Sequence, residues 1–209
     1  MHESPYDREP GYAARYRDRR FHTGSGAGTD ARERAALRAL LALQRWPAGT
    51  WLDAPCGAGR MSDELPGPAV RIDRDVAMVA ACPGPGPRAC ASVHNLPFGD
   101  GAFAGALCLR LLQHIATPVE RITILRELAR VTAGPVVVSF FDAGSLQHLR
   151  RQVRRCLGKN RSGRSAVPRA AFVGELRAAG MRVVAMRALR RFVAEQTLVL
   201  CVRAGPPSR

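Results

Sequence analysis

The residues best suited to chemistry lie between Trp51 and Arg60, which read Trp-Leu-Asp-Ala-Pro-Cys-Gly-Ala-Gly-Arg. A short apolar strand, Thr50 to Ala54, leads into a turn whose glycines carry no side chain to keep a ligand off the backbone. Asp73 closes the next strand-like stretch, Ala69-Val-Arg-Ile-Asp73. A carboxylate at that place can accept two hydrogen bonds from a ribose diol. A tight strand-to-helix turn and a helix cap are the plain structural alternatives for the glycines and for Asp73. His114 lies beyond an apolar strand candidate, Phe103–Arg110, and has the pKa range of a general base near neutrality. A packing and hydrogen-bonding role is its structural alternative. Cys56 sits inside the turn and is not expected to be a catalytic thiol.

The elements that must carry these residues alternate strand and helix. Strands are expected at 50–54, 69–73, 88–92, 103–110, 135–141, 181–189 and 196–203. Helices are expected at 31–44, 75–81, 117–133 and 168–179, with at most a short helical segment at 60–65. Thr117-Pro118-Val119-Glu120 is a strong helix start, a capping box with Pro in the first turn. Such alternation implies an α/β fold: a mostly parallel sheet with helices on both faces, ending in an antiparallel C-terminal strand pair. The domain is expected to span 31–203. Residues 1–30, with Tyr6, Tyr12, Tyr16 and Phe21 among arginines, read as an arm that could act as a lid. The Gly-rich run 22–29 reads as a flexible joint and 204–209 as a frayed tail.

These motifs resemble the class I S-adenosylmethionine-dependent methyltransferases. Leu52-Asp-Ala-Pro-Cys-Gly-Ala-Gly-Arg60 is similar to the family's first motif, with Pro55 where the first glycine is usual. Ile72-Asp73 matches the ribose-binding acid. Asn95-Leu-Pro-Phe-Gly-Asp-Gly-Ala-Phe103 resembles the loop into the fourth strand. Leu112-Gln-His-Ile115 resembles the family's apolar-His pair beyond that strand, and Arg126-Glu-Leu-Ala-Arg-Val131 the helix before the fifth. The resemblance implies a Rossmann-like seven-stranded sheet and S-adenosyl-L-methionine as cofactor. It assigns cofactor contacts to Asp53, Ala54, Cys56, Gly57, Gly59 and Arg60 in the turn, and to Asp73 and Arg74 at the ribose. Ser92, Val93 and Leu96 fall at the adenine and Arg110 at the exit of the fourth strand. Departures are Ser92 in place of the usual acid, Ala104 in place of an aspartate, and a short helix after the turn. Neither the Asp/Asn-Pro-Pro-aromatic motif nor the Pro-Cys nucleophile of nucleobase methyltransferases occurs near the fourth strand.

Charge speaks to the partner. The 209 residues carry a formal net charge of +15. Residues 1–142 hold 17 basic and 15 acidic side chains, and residues 143–209 hold 15 and 2. Only Lys159 among the 32 is lysine, so arginine content partly reflects codon usage. The run 143–164 reads as a basic insertion whose residues Leu146, Leu149, Val153, Cys156 and Leu157 share one helical face. It could meet an anionic membrane surface, RNA phosphates or an anionic acceptor, or be a solvated packed insertion. The expected function is methyl transfer to oxygen or nitrogen of a small-molecule or lipid- or sugar-linked acceptor. The alternatives are an RNA methyltransferase and a catalytically idle cofactor-binding scaffold. No RNA-binding module accompanies the arginines.

Six scattered cysteines lack zinc spacing, so no metal and reduced thiols are expected. No apolar run reaches the ~18–20 residues of a membrane span, and the N-terminus lacks a signal-peptide core. A cytoplasmic protein, peripheral at a membrane if the basic insertion docks there, is the expectation.

Overall fold

In the computed structural model, residues 11–21, 24–158 and 163–205 are described. Two helices open the chain, α1 (Tyr12–Arg20) and α2 (Gly24–Leu41). There follow β1 (Trp51–Asp53), β2 (Ala69–Asp73), α3 (Val76–Ala80), β3 (Arg88–Cys90), β4 (Gly105–Cys108) and α4 (Pro118–Val131). Then come β5 (Val136–Phe141), α5 (Leu146–Cys156), α6 (Arg169–Ala178), β6 (Met181–Ala188) and β7 (Gln196–Arg203). The seven strands form one sheet in the order β3-β2-β1-β4-β5-β7-β6. β1 to β5 pair in parallel; β7 inserts antiparallel between β5 and β6. The expected Rossmann-like methyltransferase fold is therefore present, antiparallel C-terminal pair included.

The strands alternate their side chains between two cores. Ala106 and Cys108 of β4 and Val136, Val138 and Phe140 of β5 face Ile124, Leu125 and Leu128 of α4 and Phe172 and Leu176 of α6. Phe140 and Phe172 stack with centroids 4.1 Å apart. Trp51, Leu107, Val137, Leu198 and Leu200 face the other way, onto Ala36, Leu37, Leu40 and Leu41 of α2. Trp51 explains Gly105 beside it: a Cβ there would meet the indole ring at 2.5 Å. Burial on both faces accounts for the continuous apolar runs in β4 and β5.

One local expectation changes and two are sharpened. α2 begins at Gly24, so most of the Gly-rich run taken for a joint is helical; His22 and Thr23 lie outside the described residues. The cause is tertiary: side chains of this helix are tied to the loop after β1, and packing outweighs a helix cost of about 1 kcal/mol per glycine. Asp30 consequently lies inside the helix and pairs with Arg34 and Arg60. The segment after the glycine turn is reduced to a 3-10 turn at Ser62–Glu64. Arg34 and Arg38 of α2 hold it through Glu64, at 2.6 and 2.5 Å. The basic insertion contains a real helix, α5, and it is the only one of the longer helices from α4 onward without a buried residue. The expectation of an arm carrying Tyr6 lies outside the described residues. No helix among those described is long and apolar enough to cross a membrane.

Candidate functional site

Ligands in open parallel sheets bind at the carboxyl ends of the strands, where strand order reverses. Here that reversal lies between β1 and β4. The loop after β1 carries Ala54 to Arg60, and the loop after β4 carries Arg110 to His114. Asp73 ends β2 beside them.

Gly57 and Asp73 meet directly. The Gly57 N–H donates to Asp73 Oδ2 at 2.8 Å, and the Asp75 N–H donates to Oδ1 at 3.0 Å. Gly57 has φ +54, a left-handed conformation that glycine adopts without strain. A Cβ built on it meets nothing within 4 Å, so the space over the turn is open. Each Asp73 oxygen thus accepts one backbone proton and retains capacity for another, as binding a diol requires. Burial raises the Asp73 pKa, and the two backbone donors oppose that shift. The residues present fit a nucleoside whose ribose lies against Asp73 and whose adjoining chain crosses Gly57.

Asp53 is buried beneath the turn and accepts a 2.6 Å bond from Ser62 Oγ. Burial pushes its carboxyl up to about 7, the Ser62 bond working against the shift. Ala54 and Cys56 are buried. The Cys56 sulfur lies 3.7 Å from that of Cys82. That contact and burial raise the Cys56 pKa and keep it a thiol, in line with its exclusion as a nucleophile.

On the adenine side, the structure divides the expected residues. Val93 and Leu96 belong to the main core. Ser92 is exposed, its Oγ accepting a 3.3 Å bond from the His94 N–H. Arg74 is exposed as well, its carbonyl accepting a 3.1 Å bond from Cys90 Sγ.

Arg60 and Arg110 do not point freely at a ligand. Both pair with Glu33 of α2, at 2.6 and 2.7 Å, and Gln196 Nε2 donates to the same carboxylate. Glu33 is fully buried. The two guanidinium groups also flank the Phe21 ring, at 4.1 and 5.2 Å from its centroid. Ala13 of α1 packs on Ala58 and Met78. The N-terminal segment therefore sits on the glycine turn. Glu33 is a site residue that the sequence reading missed; the signal is its spacing to Leu37 and Leu40, which puts an acid on the buried face of a helix.

His114 ends a 3-10 turn, Leu112–His114, and is exposed. Partial burial lowers its pKa, and the charges of Arg164 and Arg110 act in the same direction. Near neutrality it is an imidazole able to accept a proton. Gln113 beside it is buried; its Nε2 donates to the Arg110 carbonyl at 2.8 Å, and its Oε1 has no hydrogen-bond partner. Arg110 has φ +60 and its N–H donates to Ser139 Oγ at 2.8 Å.

Beyond His114 lies a groove of about 500 Å³ lined by Arg121, His148, Arg151, Gln152, Arg155 and Arg164, among others. The Ser165 N–H donates to the Gln113 carbonyl at 2.7 Å, which joins this groove to the turn carrying His114. Arg121 is spoken for by Glu175, at 2.6 Å, and Arg151 lies 3.2 Å from Glu195. No acidic partner within ion-pair distance is found for Arg155 or Arg164 among the described residues.

A family model described as a methyltransferase domain matches residues 52–135. No curated protein matches the chain in sequence. Among solved structures, magnesium protoporphyrin IX methyltransferase from Synechocystis with bound S-adenosylhomocysteine superimposes with a TM-score of 0.71 at 15% identity, over 90% of this chain and 93% of its own. A protein from Thermotoga maritima described as a possible histamine N-methyltransferase gives 0.62 at 15% identity, over 83% and 90%. A methyltransferase from Methanosarcina mazei gives 0.60 at 17%, over 75% and 92%. The domain match covers the glycine turn, Asp73 and His114, and these solved structures share the fold of the chain.

Proposed function

We propose that this enzyme methylates an oxygen or nitrogen of an anionic acceptor, either a small molecule or the head of a lipid- or sugar-linked one. The observation that carries this reading is the groove beside His114. Its two arginines without an acidic partner, Arg155 and Arg164, offer charge-assisted donors to a phosphate or carboxylate. They adjoin the carboxyl end of the sheet, where an acceptor must meet the cofactor.

The bound cofactor supplies an electrophilic sulfonium methyl group. The chain's own residues position and desolvate. On this reading Asp73 and Gly57 fix the ribose and the chain beside it, and Asp53 lies under the amino acid end. Ser92, with Val93 and Leu96 behind it, borders the adenine. The segment from Ala13 to Phe21 covers the turn and excludes water. His114 is the candidate to take a proton from the attacking group, since its lowered pKa keeps it neutral. Arg155 and Arg164 hold the acceptor's anion and so orient its nucleophile. An RNA substrate has less support, because the ring beside Arg164, Phe141 at 5.9 Å, is buried and cannot stack a base.

The test is a methyl-transfer screen with labelled cofactor over matched acceptors that carry a free acid or its neutral ester. The free acids are expected to be preferred. Arg155→Gln with Arg164→Gln should raise KM for them about tenfold or more, with cofactor affinity unchanged. Equal turnover of the esters, or RNA as the best substrate, overturns the reading.

A further inference from the structure

The helix α5 is inside out. On a helical wheel its apolar residues Leu146, Leu149, Val153 and Leu157 fall within about 100° of arc. The opposite arc carries His148, Arg151 and Arg155. In a helix packed on a sheet the apolar arc faces inward. Here the polar arc does. His148 and Arg151 approach the buried Glu195 at 3.5 and 3.2 Å, and Arg151 lies over the Phe141 ring at 5.8 Å. The apolar arc faces solvent: Leu149 is 58% exposed, Val153 53% and Leu157 64%.

The surface continues past the helix. Phe192, in the connection between β6 and β7, is 72% exposed. Its carbonyl accepts from the Leu146 N–H at 2.9 Å, and the Val193 carbonyl accepts from the Gln147 N–H at 3.0 Å. The loop and the start of α5 are thereby one rigid edge. Phe192 has φ +61, an unfavourable conformation for a bulky residue that its surroundings must hold. Exposed arginines border this apolar strip on the helix, at Arg150 and Arg154, and in the loop, at Arg190 and Arg191.

We propose that α5 and the loop at 190–193 form a docking surface for an anionic bilayer, lying in the headgroup region with the apolar strip inserted. The chemistry is that of interfacial helices: apolar side chains enter the acyl boundary while flanking cations reach lipid phosphates. Arg150 and Arg154 border the strip itself, where they would meet phosphate level. A second copy of the chain is a poorer occupant. A two-fold contact would set these arginines against their own counterparts, without an acid on either strip to receive them. The inference is independent of the acceptor reading, because vesicle binding can succeed whatever is methylated.

The experiment is co-sedimentation of the full chain with vesicles of phosphatidylcholine alone and of phosphatidylcholine with about one-third phosphatidylglycerol. Retention on the anionic vesicles is expected, with little on the neutral ones. Leu149→Asp combined with Val153→Asp, and separately Phe192→Asp, should each lower retention about tenfold or more. Arg150→Gln with Arg154→Gln should weaken it and flatten its salt dependence. These side chains are exposed, so circular dichroism should not change and unfolding midpoints should not fall. Methylation of a water-soluble acceptor should also be unaffected. Arg155→Gln with Arg164→Gln should keep vesicle binding while losing acceptor affinity, which separates failure of the two proposals. The docking proposal is overturned by no retention on anionic vesicles at low salt. It is overturned equally by undiminished retention of the Asp variants, which would reduce the effect to charge alone. A concentration-dependent dimer abolished by the same variants, without vesicle binding, would make a second copy the occupant.

Discussion

At the residue scale, Asp53 carries the sharpest pH signature. Its folded pKa, about 7, lies above the ordinary aspartate value of 3.8 because burial penalises the charge. Below about pH 4 both folded and unfolded chains hold the proton, and Asp53 costs nothing. Between about pH 4 and 7 the unfolded chain is ionised while the folded one keeps its proton, so stability falls as pH rises. Above 7 the cost is complete, at up to about 4 kcal/mol. Asp53→Asn removes this slope. Denaturant unfolding at pH 5 and pH 8 should find the variant gaining on the native chain as pH rises. A gap that does not widen would mean that Asp53 is ionised in the fold at both pH values. The same acid was legible in the sequence as a member of the glycine motif, as were Gly57 and Asp73. Such residues announce themselves because their constraints are local: a left-handed φ, a strand end, a carboxylate next to a turn. Glu33 did not. Its partners Arg60, Arg110 and Gln196 stand 27, 77 and 163 residues away, and no local pattern encodes such convergence.

At the element scale, most of the strands and helices followed from period and breakers. β2 and β7 match their expected ranges residue for residue. α2 is the instructive exception. Its glycines read as a joint, yet the helix runs through them because Glu33 and its partners anchor it to the glycine turn and to β7. Glu33 is thus the fastening between the N-terminal helices and the cofactor end of the sheet. Glu33→Ala should leave Arg60 and Arg110 without their buried counter-ion, and should cost about 3 kcal/mol or more of unfolding free energy. Asp63→Ala, which removes an exposed partner of Arg34, should cost at most about 1 kcal/mol. Chemical denaturation of the two variants side by side checks the contrast. Equal losses would show that Glu33 does no more than a surface acid. α5 is the other element that sequence alone could not orient. Periodicity identified its apolar face, but only the packed structure reveals that the face points outward.

At the whole-molecule scale, the +15 charge divides by structural role as well as by position. Up to residue 142, acids nearly equal arginines in number. Arg34, Arg38, Arg60, Arg110 and Arg130 all pair with acids, and Glu33, Glu64 and Glu127 among those acids are partly or fully buried. Beyond it the two acids are already engaged, Glu175 by Arg121 and Glu195 by Arg151 and His148. The C-terminal third therefore carries a cationic surface that its own acids cannot neutralise. Salt acts oppositely on the two regions. It weakens ion pairs, but buried and partly buried pairs are screened least. It relieves repulsion between exposed like charges, which are screened most. The exposed arginines of α5 and the loop at 190–191 fall in the second class. Repulsion should dominate, so the thermal midpoint should rise as monovalent salt goes from about 0.01 to about 0.2 M. Changing Arg150, Arg154 and Arg190 to Gln should raise the low-salt midpoint and shrink the salt response. A midpoint that falls with salt would mean that the Glu33 and Glu64 networks outweigh the basic surface in setting stability. A surface held in tension at low salt is also one that an anionic partner would stabilise by more than its direct contacts, because binding removes the repulsion along with the solvent.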